Sequence, residues 1–519
     1  MEGSLPDFER VIHFKIGRHR SMTMEAQTKV YLAVDLGATS GRVIAGVWSA
    51  DKRDLKLETV NRFSSPITRV DGKLHWDILG IYSSIKRGLK LAASTYGNRI
   101  ESVGVDSWAV DYALIDANGA MLGNPFHYRD SRTEGMMEAV FNKVPEETIY
   151  RETGIQFLFI NTIYQLYSEI VGNVGALQAA RRILFIPDLI SFWLSGSLHQ
   201  ERTVASTSQL LNPMTGKWSE TLLERLDLMP GLFKEVIEPG SIVGSLKPEV
   251  QKETRLSDIS VIAVAGHDTA SAFVALPGNR KGFAVMSSGT WSLMGLELPE
   301  PQLGTNALND GFSNEIGYGH TVRFLKNICG MWLIEECRRH WTEAGRNYDY
   351  EAIVDLANGV PSMVSMIDPD APDFAAPEHM PNAISAFCQR TGQKVPADDA
   401  SLVRCVFDSL AMKYRYVFRK LEAYSDQSLE GLYVLGGGAR NHLLNQMTAD
   451  ALGVPVVTGP SEATAVGNIA VQLISKGEID SLESARDLVE ESFLSKVFEP
   501  CDAGLYTDNE IRFAKLLGC

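Results

Sequence analysis

No stretch of the 519-residue sequence approaches the roughly 20 consecutive apolar residues that a membrane-crossing helix needs. The N-terminus also has no signal-peptide core, so the expectation is a cytoplasmic protein with no membrane partner. Basic residues are in deficit: 49 Lys and Arg stand against 64 Asp and Glu, for a net charge of −15. Nucleic acids and anionic lipids both call for a basic face, so this balance disfavours them and favours a small-molecule partner. Cysteine is sparse, and none of Cys329, Cys337, Cys388, Cys405, Cys501 and Cys519 falls in a C-x-x-C pair. They are expected to be buried thiols, neither a zinc site nor a disulfide framework. A Walker A loop is excluded as well, because no G-x-x-x-x-G-K-[ST] occurs.

What is present is an ordinary globular balance of 45% apolar and 22% charged residues, on a chain too long for one hydrophobic core. The stretch VYLAVDLGATSGRVIAG, from Val30, reads as an apolar strand ending in Asp35, a Gly/Thr/Ser turn and a returning strand. A third strand over 55–63 completes a meander, and a helix is expected over 77–94. Two further strands, closed by an Asn118-Gly119 turn, are expected within 100–123. The hairpin device recurs at GFAVMSSGTWSLMGLEL, from Gly282, and suggests two related domains facing across a cleft. Between the two, residues 201–261 carry four prolines and polar turns, which predict loop and linker. Helices are expected over 325–341 and 401–424, and from near Asn441 after the glycines of LYVLGGGARN.

The chemistry-bearing positions cluster at these turns. Backbone N–H groups at Gly37 and Gly41, with the hydroxyls of Thr39 and Ser40, suit phosphate oxygens. A carboxylate beside such a cradle repels phosphate unless a cation intervenes, which makes Asp35 a candidate holder of Mg²⁺. The plainer alternative, an Asp that only bonds turn amides, is weakened by the second hairpin, where Ser287, Ser288, Gly289 and Thr290 repeat the same chemistry. In VIAVAGHDTASAF a buried strand leads into a helix at Asp268, which is either an N-cap or a base for a hydroxyl that attacks a γ-phosphate. Trp108, Tyr112, His127, Tyr128, Asp130 and Arg132 cluster in one region and could face a polyol or serve packing, with Asp130 and Arg132 able to pair.

The segments DLGATSGR, GHDTASAF, SSGTWSL and VLGGGARNHLLNQMTADALG, in this order, resemble the FGGY carbohydrate kinases of the actin, hexokinase and Hsp70 superfamily. DSWAVDYALID, HYRDSRT, NTIYQL, LKNICGMWLIEECRR, MPNAISAFCQRTGQKVP and RCVFDSLAMKYRY are similar to those members that phosphorylate the 1-hydroxyl of L-rhamnulose. The resemblance covers about 30–475. It implies an α/β chain with two ribonuclease-H-like domains facing across a cleft, with ATP and Mg²⁺ as cofactors and a ketose as substrate. Apart from the resemblance, the sequence leaves the oligomeric state open between a monomer and a homodimer.

By the same resemblance, Asp268 is the proton acceptor and Ala38, Thr39, Ser40, Gly41, Arg42 and Thr290 contact ATP phosphates. Glu335, Gly437 and Gly438 lie toward the nucleotide, while Ala109, His267, Thr269 and Asn327 face the sugar. Ala109 and Glu335 depart from the family pattern, which has Gly and Gln there. The expected division is an extension over 1–29, an N-terminal kinase domain over 30–260, a C-terminal one over 261–490, and a tail over 491–519. A non-catalytic sensor on this fold, or an Hsp70-like ATPase, remains as an alternative. The sensor needs no base, and the ATPase needs a further substrate-binding module.

Overall fold

The computed structural model describes residues 28–278, 282–375 and 377–518. The expected extension over 1–29 lies outside the described residues, except for Thr28 and Lys29, which open the first strand; Cys519 also lies outside them. β1 (Thr28–Leu36) is buried without a break from Val30 onward, as a central strand covered on both faces must be. β2 (Ser40–Ser49) returns antiparallel and sets Arg42 opposite Asp35. β3 (Asp54–Ser64) completes the meander. α1 (Ile78–Tyr96) starts at its cap Asp77, whose carboxylate accepts the Gly80 N–H, and buries Ile78, Ile81, Ile85, Leu89 and Ala92 at helical spacing.

β4 (Ile100–Ser107) runs parallel to β1 and places Asp106 beside Asp35. The expected second strand, Tyr112–Ile115, does not pair with β4. It pairs with Arg182–Phe185, and the Asn118-Gly119 turn closes only an isolated Ile115–Met121 bridge. The chain leaves the sheet because Val110 is left-handed, at φ 65°. Asp111 next to it is buried, accepting the indole N–H groups of Trp76 at 2.6 Å and Trp108 at 3.0 Å.

The expected linker over 201–261 is folded. It contributes β5 (Ser241–Ser245) and the start of β6 (Ser260–Ala263), which complete a six-stranded sheet in the order β5-β6-β4-β1-β2-β3. Two of its prolines, Pro230 and Pro248, open helices, where a missing N–H breaks no intrahelical bond.

α2 (Asp268–Val274) follows β6 directly. The second sheet begins with the hairpin β7 (Phe283–Ser288) and β8 (Trp291–Leu298), followed by β9 (Ser313–Ile316) and β10 (Val322–Cys329). Residues 325–329, expected as helix, are thus strand paired to β8, and the helix begins only at α3 (Trp332–Glu343). Gly330 divides the two, in a spot where a Cβ would press on Ser292.

α4 (Asp399–Leu421) is capped by Asp398, and β11 (Gly431–Leu435) leads through the glycines to α5 (His442–Leu452), capped by Asn441. β12 (Val456–Thr458), α6 (Ala463–Ser475) and β13 (Lys496–Phe498) complete a seven-stranded sheet in the order β9-β10-β8-β7-β11-β12-β13. Both sheets use one plan, an antiparallel hairpin whose first strand has a parallel neighbour on its other side.

α2 and α6 lie between the sheets. One apolar cluster joins Tyr31 and Ala33 of β1 to Ile469, Ala470 and Val471 of α6. Another joins Ala272 and Phe273 of α2 to Val285, Tyr433 and Leu435 of the second sheet. Cys329, Cys337, Cys388 and Cys405 are buried thiols as expected, whereas Cys501 is exposed, just past β13 and outside any apolar helix. No described helix is long and apolar enough to cross a membrane.

Candidate active site

A cleft of about 290 Å³ opens where the two hairpins, the start of α2 and the glycine turn after β11 converge. Its lining includes Asp35, Ala38, Thr39, Ser40 and Arg42 from the first hairpin, Thr290 from the second, Gly437, and His267, Asp268, Thr269, Ala109 and Asn327. Three of the residues that the resemblance places at the nucleotide, Gly41, Glu335 and Gly438, do not line it. Gly41 is glycine because a Cβ would strike Phe63, and Gly438 because one would strike Ser288. Glu335 sits on α3, paired with Arg338 at 3.0 Å and receiving the Tyr350 hydroxyl. Gly437, by contrast, has open space where its side chain would be.

Each hairpin tip is braced. The Gly37 N–H donates to Ser40 O at 3.0 Å, and the Ser65 hydroxyl at the end of β3 donates to Gly37 O at 2.8 Å. In the second hairpin the Gly289 N–H donates to Trp291 O at 2.8 Å, while Trp332 N–H holds Thr290 O at 3.0 Å. Such bracing holds polar groups in place before a ligand arrives, which lowers the entropy lost on binding.

The charges beneath these tips are unbalanced. Arg42 Nη2 is 2.6 Å from Asp35 Oδ2, and its Nη1 pairs with Glu462 at the start of α6. Arg42, on the cleft lining, thus ties β2 to β1 through Asp35 and to the start of α6 through Glu462. Asp106, which the sequence reading passed over, is fully buried; it accepts from Asn468 at 2.5 Å through one oxygen, and its other oxygen has no partner. Its signal was available, since VGVD repeats the apolar strand ending in acid of LAVD.

Burial drives Asp35 up to about 6 from its ordinary 3.8, with Arg42 opposing and Asp268 and Glu462 adding to the rise. A folded value above the unfolded one means that the native state holds this proton more tightly. The associated stability is present below about 3.8 and is lost as pH rises through about 6. Asp35→Asn carries no such proton. Relative to the parent, it should gain on the order of 1 kcal/mol between pH 5 and pH 7.5. Urea unfolding of both proteins at both pH values measures this; a gain that shrinks with pH would show that Arg42 keeps the carboxylate ionised.

Asp268 is the first residue of α2, with His267 at the cap position, and its carboxylate does not cap the helix. It accepts from the Thr269 hydroxyl at 3.0 Å, lies 3.3 Å from His267 Nε2, and is one-third exposed to the cleft. The preceding turn is held from behind by Glu201, which accepts from Gly266 N–H at 3.0 Å and from the Thr203 hydroxyl at 2.6 Å. Asn327 is fixed by Gln156, whose Oε1 accepts from the Asn327 backbone at 3.0 Å and its side-chain amide at 3.2 Å. Arg132 pairs with Glu169 at 2.7 Å and not with Asp130, whose carboxylate instead accepts the N–H groups of Leu74 and Arg132. Trp108 and Tyr112 are both buried; Trp108 lines the cleft and Tyr112 does not.

Two hydroxyl- and glycine-bearing hairpins face an accessible carboxylate across a cleft between the two sheets, an arrangement suited to phosphoryl transfer. The N-terminal domain profile of the FGGY family of carbohydrate kinases matches residues 30–275, and its C-terminal domain profile matches 284–475. The chain belongs to this family and is a carbohydrate kinase. It is 44% identical over 485 residues to a rhamnulokinase of Bacteroides thetaiotaomicron, covering 93% of this chain and 98% of that protein. It is 38% identical to one of Bacillus subtilis, covering 91% and 96%. In fold it is similar to a gluconate kinase of Lactobacillus acidophilus, with a TM-score of 0.77 and 16% identity over 95% of this chain and 98% of that one. A glycerol kinase of Plasmodium falciparum with ADP gives 0.75 and 16%, covering 95% and 98%.

Proposed function

We propose that this carbohydrate kinase transfers the γ-phosphoryl of ATP to the 1-hydroxyl of L-rhamnulose. The observation that carries the reading is the 44% identity, over nearly the full length of both chains, to a protein named rhamnulokinase. The cleft is consistent with a deoxy sugar. Beside its polar groups it is lined by Val110, Ile155, Leu158 and Ile160, an apolar wall that favours a methyl group over a hydroxyl left unpaired.

In this reading Asp268 accepts the proton of the attacking hydroxyl, Thr269 and His267 hold that carboxylate, and Asn327 and Ala109 face the sugar. Thr39, Ser40 and Thr290 supply hydroxyl donors to the phosphates, with Ala38 and Arg42 beside them. The loose transition state of phosphoryl transfer needs alignment and charge neutralisation more than covalent help.

Among the described residues, no group of three or more His, Cys, Asp or Glu is arranged to hold a metal ion. Mg²⁺ does not need such a cage, because it keeps waters and takes one or two carboxylates plus phosphate oxygens. The partnerless oxygen of Asp106 and the surplus of carboxylates over Arg42 fit that requirement, and Asp35 would hold the ion. When bound, the metal would neutralise charge on the phosphates.

A panel of ketoses compared by kcat/KM tests the substrate. L-Rhamnulose should rank first, with L-fuculose and L-xylulose behind it. Ala109→Gly removes one methyl from the lining and should change those ratios by about 10- to 200-fold at most, without abolishing turnover. A pentulose or glycerol far ahead of L-rhamnulose would overturn the sugar assignment and leave the kinase intact. ADP formation without any sugar would favour an ATPase instead.

A further inference from the structure

His267 has acidic groups at both ends of its ring, and an imidazole can serve only one of them as a neutral donor. Nε2 is 3.3 Å from Asp268 Oδ1, while Nδ1 is 3.1 Å from Glu315 Oε2 and 3.2 Å from Arg323 Nη1. Glu315 on β9 and Arg323 on β10 are directly opposite one another across the antiparallel pair and form an ion pair at 3.0 Å. Arg323 is completely buried; its Nη2 donates to Ile316 O at 3.2 Å, which fixes the plane of the guanidinium. Other polar neighbours of the histidine include the Thr203 hydroxyl, which receives the His267 backbone N–H at 3.3 Å, Glu201 behind it, and Ser107, bridged to it in the adjoining strand.

We propose that Arg323 is a positioning residue for Asp268, acting by fixing which nitrogen of His267 carries the proton. A guanidinium has only donors, so the Nδ1 atom that makes a hydrogen bond with Arg323 must be the bare one. The ring proton then sits on Nε2 and points at the Asp268 carboxylate, which is held in one rotamer and kept ready to accept. Glu315 neutralises the buried guanidinium and keeps the arrangement compatible with burial. Without Arg323, Nδ1 faces Glu315 alone and takes up a proton. In the neutral ring this strips the donor from Asp268 and sets a lone pair against its carboxylate.

The arrangement also spans the two sheets. His267 and Asp268 follow β6 of the first sheet, whereas Glu315 and Arg323 belong to the second. The orientation of the base therefore depends on the relative placement of the two domains. This inference rests on Asp268 as the base, but its first measurement does not.

The test is ¹⁵N NMR of the selectively histidine-labelled full chain, with the His267 signal assigned by its loss in His267→Asn, alongside steady-state kinetics. The parent should show a bare Nδ1 and a protonated Nε2. Arg323→Met should place a proton on Nδ1 and lower kcat by about tenfold or more, a part of what a general base supplies, with the ketose KM little changed. Arg323→Lys retains donors only and should keep Nδ1 bare and recover part of kcat.

Because Arg323→Met leaves Glu315 unpaired, the charge-balanced Arg323→Met/Glu315→Met protein serves if the single variant does not fold. It should also lose the fixed Nε2–H form and the same share of kcat. A proton on Nδ1 in the parent overturns the proposal, as does an unchanged tautomer, or an unchanged kcat, in the folded variants. A separate failure of Asp268→Asn to lose turnover would remove the base assignment and leave the tautomer finding standing.

Discussion

Asp268→Asn should lower kcat by about 10²- to 10⁴-fold, the range that a positioned general base contributes, while the ketose still binds with nearly its original Kd. The substitution is isosteric and leaves an oxygen for Thr269 and His267, whose donors lie at 3.0 Å and 3.3 Å. Only the capacity to take a proton is removed. Calorimetric titration of the ketose, with kcat measured on the same preparation, separates the two effects. Normal turnover in the variant would mean that another group receives the proton. A loss of ketose affinity equal to the loss in kcat would mean that Asp268 works by binding.

Much of this site could be read in the chain before folding. An apolar strand ending in Asp35, a turn of Gly37, Ala38 and Thr39, and an apolar return make a hairpin whose tip must be polar, and the same pattern from Gly282 gives the second. Their convergence on one cleft with Asp268 follows from the repeated topology. The elements that escaped did so for local reasons. Residues 325–329 are as apolar as a helix face, and only Gly330 marks the change from strand to helix. The departure of Tyr112–Ile115 from the first sheet escaped because the left-handed turn at Val110 has no glycine to announce it.

What no local pattern could give is pairing between distant positions. Arg42 finds Glu462, Asp106 finds Asn468, and Glu315 with Arg323 finds His267. Each link joins segments separated by dozens to hundreds of residues, and each involves a charged or amide group that on its own looks like ordinary surface chemistry. Burial is what turns them into constraints, because a charge removed from water must find a partner. Arg42 shows the same thing: its place in the hairpin suggests phosphate, and the fold adds two carboxylate partners that the hairpin alone does not reveal.

Gly467→Ala should be the most disruptive Gly→Ala change among the described glycines, lowering stability by about 3 kcal/mol or more, at or beyond the upper end of the usual overpacking cost. A Cβ there would be driven into the backbone oxygen of Ser271, where α6 crosses α2. A flexible side chain could swing away, but a carbonyl inside a helix can move only with its helix. The surrounding sequence is built for this approach, with Ala463, Ala465 and Ala470 on α6 and Ala270 and Ala272 on α2 all buried. Because α2 begins at Asp268 and α6 begins beside Glu462, the partner of Arg42, separating the helices also moves Asp268, the proposed base, away from Asp35. The expected result is therefore a double loss: a lower unfolding midpoint, and a reduced kcat in whatever protein remains folded at low temperature. Gly437→Ala is the control, since its methyl enters open space in the cleft. It should leave the unfolding midpoint in place and raise the KM for ATP. If Gly467→Ala matched the parent in both stability and kcat, the close crossing of α2 and α6 would not be what sets the distance between the base and the first hairpin.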